Sequence, residues 1–198
     1  MINKPNLTLS KIFDTSYVVK FLLRLLAFYL FFRLMNWLVI GLIVPGGYYS
    51  PFVEHYLNYV SWLKMSILQT ASFIAQLFGV KSHFFDNSTL QIATGGKLFM
   101  AWACVGLELM SFWAAFAFAD TTPWRKKIYW CLGGLFCIWF INCLRVALLL
   151  VAIKNKWPNF STLSHHDTFN IAAYGLILLM MFVYYSRNKK DLGQKATS

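Results

Sequence analysis

Met100-Ala-Trp-Ala-Cys104-Val-Gly-Leu-Glu108-Leu-Met-Ser111 opens a hydrophobic segment that continues through Phe112-Trp-Ala-Ala-Phe-Ala-Phe-Ala119. Together the two stretches are long enough to cross a bilayer as one helix. On such a helix Cys104, Glu108 and Ser111 fall at i, i+4 and i+7 and share a face. Holding lipid requires none of them, and an ionisable group inside a membrane segment is costly enough to mark function. That face predicts a polar site at the mouth of a membrane helix.

Composition sets the class. Of 198 residues, 59% are hydrophobic, 19% aromatic and only 13% charged, against roughly 25% charged in soluble domains. A soluble core could not hide that much apolar surface, so an integral membrane protein with one domain is expected. The net charge of +11 comes without any aromatic-basic motif, which argues against nucleic acid as a partner. The charge gathers beside hydrophobic segments instead, as on cytoplasmic flanks that meet membrane lipids. The apolar stretch from Tyr17 is too long, and too interrupted by Arg24 and Arg33, for a cleaved signal peptide. Cys104, Cys131, Cys137 and Cys143 form no C-x-x-C pair, so neither a disulfide framework nor a metal site is indicated. The last three read as packing residues.

The expected fold is an all-α polytopic membrane protein of about four transmembrane helices, an outer interfacial helix and a small β-hairpin. Residues 1–16 read as a cytoplasmic arm, 17–186 as the membrane domain and 187–198 as a basic tail. Spans are predicted over 17–44, from the Cys104 segment to Ala119, over 128–153 and over about 169–185. Between the first two, 52–80 is apolar but carries Glu54, His55, Asn58, Lys64, Gln69 and Gln76. It can either span or lie at the interface. Thr89-Leu-Gln-Ile-Ala, between the turn residues Asp86-Asn87-Ser88 and Gly95-Gly96, alternates like one strand of a hairpin. Arg125-Lys-Lys127 and the tail are the strongest basic flanks, so both should face the cytoplasm. For the count to close with the arm also inside, 52–80 must stay on the outer side.

This topology brings residues far apart in sequence to one outer level. Arg145 lies about two turns before the outer end of its span, with Asn142 three residues earlier on the same face. His165 and His166 stand in the following loop. A thiol, a guanidinium and an imidazole can together perform acyl transfer. The thiolate attacks a carbonyl, the imidazole shuttles the proton, and the guanidinium stabilises negative charge.

Cys104-Val-Gly106-Leu, then Asn142-Cys-Leu-Arg145-Val, then His166-Asp-Thr-Phe-Asn170 resembles the exosortase/archaeosortase family of membrane transpeptidases, over roughly residues 70–185. Val105 and Asn170 stand where that family usually carries a small residue and a glycine. The resemblance implies Cys104 as nucleophile, Arg145 as oxyanion or thiolate stabiliser and His166 as general acid/base. His166 is preferred to His165 for its spacing to Asn170. Gly106, Glu108, His165, Asn142 and Asn170 would be supporting residues. It also implies substrates that are exported proteins ending in a recognition motif, a membrane helix and a basic tail. The active site would face outward from a bacterial plasma membrane, with no cofactor and no metal. The alternative is a non-catalytic membrane subunit, or a small transporter that uses the polar face around Glu108 and Arg145.

Overall fold

Two apolar segments dominate the architecture. The computed structural model describes residues 15–44, 48–156 and 174–187. Helix α1 (Thr15–Ile43) begins two residues inside the expected arm and stops before Pro45, which disfavours helical backbone at the residue ahead of it. The Ser50 N–H then bonds back to the Leu42 carbonyl at 2.9 Å and satisfies one of the helix's last carbonyls. Helix α5 (Trp124–Lys154) is the other long segment, with 31 residues, or about 46 Å against a hydrocarbon core of about 30 Å. Residues 18–43 and 124–154 are the two described stretches long and apolar enough to cross a membrane by themselves.

The ambiguous stretch 52–80 resolves into two helices. Helix α2 (Pro51–Tyr56) opens on a proline, whose missing N–H costs nothing at a first turn. Helix α3 (Tyr59–Leu77) is capped by Asn58, whose Oδ1 accepts from the Ser61 N–H at 3.0 Å. It ends at Leu77, and beyond it Gly79, with a φ of 72°, lets the Val80 N–H turn back to the Ala75 carbonyl. Its buried residues, Val60, Lys64, Ile67, Leu68, Ala71, Ser72 and Ala75, recur at helical spacing and form one stripe.

The expected hairpin is a three-stranded antiparallel meander: β1 (Ser82–Asp86), β2 (Thr89–Ile92) and β3 (Lys97–Phe99), in that order. The Asp86 side chain closes the first turn by accepting from the Ser88 N–H at 2.6 Å, and that bond holds its carboxyl below the ordinary range. The extra strand follows the Gly95-Gly96 turn and pairs Leu98 with Leu90. Leu90, Ile92, Leu98 and Met100 then pack with the α3 stripe and with Cys143, Val146, Ala147 and Leu150 of α5. Between the sheet and the next helix, Trp102–Val105 forms a 3-10 turn.

Helix α4 (Leu107–Ala119) has 13 residues, about 20 Å, and does not cross a hydrocarbon core by its own length. The sequence expectation of one helix from the Cys104 segment to Ala119 is therefore corrected. Helix α6 (Tyr174–Arg187) is likewise short in its described part.

Helix direction follows from side-chain contacts. Lys127 Nζ donates to the Phe118 carbonyl, Trp113 Nε1 to the Trp130 carbonyl, and Asn142 Nδ2 to the Val105 carbonyl. These partners ascend on α5 as they descend on α4, so the two helices are antiparallel. Gly134 makes the approach possible, since a Cβ there would lie 1.9 Å from Trp113 Nε1. By contrast, Trp139 Nε1 reaches Ser66 Oγ at 3.0 Å and Lys154 Nζ reaches the Gly79 carbonyl at 2.6 Å. Helix α3 thus runs parallel to α5 and accompanies only its second half. At the other end, Phe21 of α1 meets Phe116, and Tyr184 of α6 donates to Asp120 Oδ2 at 2.5 Å. The start of α1, the α4–α5 loop and the end of α6 share that end of the bundle.

Candidate active site

Cys104 is half-buried in the 3-10 turn, where its N–H donates to the Ala101 carbonyl at 2.9 Å. Such a turn is short and poorly self-supporting, so its position depends on outside contacts. One contact comes from α5. Asn142, 6% exposed, donates from Nδ2 to the Val105 carbonyl at 3.1 Å. The bond satisfies both buried groups and ties the thiol's neighbour to the helix that carries Arg145. Arg145 is half-buried and three residues further along that helix.

Gly106 explains why Cys104 is not on α4. Its φ of 83° breaks the helix between the thiol and Leu107, a conformation that glycine adopts without the Cβ penalty. A Cβ there would also lie 2.3 Å from Asn142 Nδ2. The single helical face expected for Cys104, Glu108 and Ser111 is therefore not formed. Glu108 is 77% exposed in its side chain, with Oε1 3.9 Å from Arg33 Nη2, a distance at which an exposed pair is worth little. Ser111 is buried and belongs to a separate polar chain. Tyr59 OH donates to Asn36 Oδ1 at 2.5 Å, Asn36 Nδ2 to Ser111 Oγ at 2.8 Å, and Ser111 Oγ to the Leu107 carbonyl at 2.7 Å. That chain fastens α1 and α3 to the first turn of α4.

The structure thus brings Cys104, Gly106 and Asn142 together, with Arg145 one turn beyond Asn142, and sends Glu108 elsewhere. His165, His166 and Asn170 lie outside the described residues. Cys131 and Cys143 are buried, as packing cysteines should be, whereas Cys137 is exposed on α5. Among the described residues no group of three or more His, Cys, Asp and Glu side chains could hold a metal. Sequence reasoning missed Trp102, Ser88 and the seating of Lys64. Lys64 is 5% exposed on α3, with Nζ 2.6 Å from Ser88 Oγ and 3.9 Å from the centroid of the Trp102 ring. Burial pushes its ammonium below the ordinary lysine value, and Asp86 partly offsets this. A lysine on an otherwise apolar stripe was the available signal.

Two long apolar helices, with a half-buried thiol turn clamped to the longer one, define a helical membrane protein. The sequence model for transmembrane exosortases matches residues 6–183, and the chain belongs to that family. No curated protein and no solved structure matches it.

Proposed function

We propose that the protein is a membrane-embedded cysteine transpeptidase or protease that cleaves the C-terminal sorting signals of exported proteins. The substrate carries a motif, a membrane helix and a basic tail. The Cys104 thiolate attacks the scissile carbonyl, the C–N bond breaks, and a thioester forms at Cys104 while the leaving amine takes a proton from His166. An acceptor nucleophile or water then resolves the thioester, passing its proton back to His166. Arg145 stabilises the developing negative charge. The observation that carries the reading is the clamp: Asn142 holds the carbonyl next to the thiol and lies one turn from Arg145.

The test is the size of an exported, C-terminally anchored substrate in cells carrying Arg145→Lys. A guanidinium holds an oxyanion or carboxylate through two planar bonds, whereas lysine offers a point charge. The expected loss is about 10²-fold or more with the protein at its normal membrane level. Full activity in the lysine variant would reduce Arg145 to an anchor.

The proposal includes four spans, supplied by α1, α4 with its preceding turn, α5 and α6, in the plasma membrane. The end shared by the start of α1, the α4–α5 loop and the end of α6 is cytoplasmic, next to Arg125–Lys127 and the basic tail. Helix α3 then lies on the outer side, which its pairing with only the second half of α5 supports. Reporters fused after Lys127 and after Lys190 are expected to read cytoplasm, and one near Asn159 the outer side. Cysteines at the exposed Trp62 and Gln76 should both label from outside with an impermeant reagent. A cytoplasmic Asn159 would separate the histidines from Cys104 and defeat the catalytic reading.

A further inference from the structure

The Cys104 turn is held by Asn142 at its end, and a second set of contacts holds its beginning. Ser88, in the turn between β1 and β2, reaches this region twice. Its carbonyl accepts from the Met100 N–H at 2.8 Å, and its hydroxyl accepts from Lys64 Nζ at 2.6 Å. The same ammonium lies 3.9 Å from the centroid of Trp102, the first residue of the 3-10 turn. One buried cation on α3 therefore bonds the sheet and stacks on the segment that carries the thiol.

An ammonium taken out of water is costly unless it is hydrogen-bonded and faces compensating charge. At a site that served packing alone, an apolar residue on the α3 stripe would do as well. Lys64 instead gives its hydrogen bond to Ser88 and shares its charge between Asp86 and the face of an indole, the strongest aromatic partner for a cation. Both contacts point to the same few residues ahead of Cys104.

We propose that Lys64 is a positioning residue, which fixes the nucleophile turn through Trp102 and Ser88 and holds a positive charge beside that turn. This rests on the reading of Cys104 as nucleophile. The turn gains its placement from one side chain through both contacts.

The test alkylates the full chain in native membranes with iodoacetamide and reads modification of the Cys104 peptide by mass. The measurement needs no substrate. Lys64→Met keeps the apolar stem but loses both contacts, so the turn is displaced and the alkylation rate of Cys104 should change about fivefold. Lys64→Arg keeps a cation able to stack and to donate, and should recover to within about twofold of the parent. Trp102→Leu removes one of the two contacts and should change the rate in the same direction by a smaller factor, with the double variant no different from Lys64→Met alone, which already breaks that contact. Unchanged alkylation in Lys64→Met, or additive effects in the double variant, overturns the proposal. If Lys64→Met does not accumulate in membranes, Trp102→Leu decides alone, and a parental rate there overturns it. Normal substrate maturation in Cys104→Ser cells would defeat the transpeptidase reading instead, and leaves the alkylation result standing.

Discussion

Cys104→Ser is expected to stop maturation of a C-terminally anchored export substrate while leaving the protein in the membrane at its normal level. Serine nearly matches cysteine in shape, and Cys104 is only half-buried at the edge of the core, so the fold has little to lose. The chemistry has much to lose. Thiols ionise far more readily than hydroxyls and are the stronger nucleophiles, so serine cannot take over the attack. Under the proposed mechanism His166→Ala should be similarly damaging, since it removes the proton donor proposed for the leaving amine. Residues that serve one step lose activity non-additively, so the double variant should be little worse than either single. His165→Ala should be milder. The measurement is substrate size over time in cells carrying each variant. Maturation at the normal rate in Cys104→Ser cells would leave the thiol as a packing residue and end the enzyme reading.

The long helices were legible because bilayer-length apolar runs have few alternatives. The structure places α1 at Thr15–Ile43 and α5 at Trp124–Lys154, close to the expected 17–44 and 128–153. The C-x-G and N-x-x-R motifs were legible too, but not the contact that joins them. Hydrophobicity cannot report that Gly106 has positive φ, nor that the Asn142 side chain of another helix leaves no room for a Cβ there. Periodicity therefore ran one helix through Cys104 to Ser111. The third strand escaped for a different reason: Lys97–Phe99 has three residues, too few for alternation to register. Lys64 looked like a polar residue in an ambiguous helix. Its partners lie on the sheet turn and beside the thiol, a convergence that only tertiary structure creates.

The contact between Gly106 and Asn142 leads to the second large effect. Gly106→Ala is expected to lower maturation by about 10²-fold, through displacement of the Cys104 turn by an ångström or so. Two costs act together. The backbone at φ 83° is unfavourable for any residue with a Cβ, by about 1–2 kcal/mol. The new methyl would also sit 2.3 Å from Asn142 Nδ2, so either the amide or the turn must move. If the amide moves, the Val105 carbonyl loses its donor, and an unsatisfied buried polar group costs about 1–3 kcal/mol. Asn142→Ala alone loses that bond but leaves the backbone unstrained, so it should be less damaging than Gly106→Ala. In Gly106→Ala/Asn142→Ala the clash is gone, and the combined loss in melting temperature should be smaller than the sum of the singles. Melting in detergent and substrate maturation are measured side by side for the three variants. Gly106→Ala that matures substrate at the parental rate would mean that the Asn142 clamp does not set the position of the thiol. Additive losses would mean that the two side chains act apart, and the coupling between the turn and the Arg145 helix would have to run through another contact.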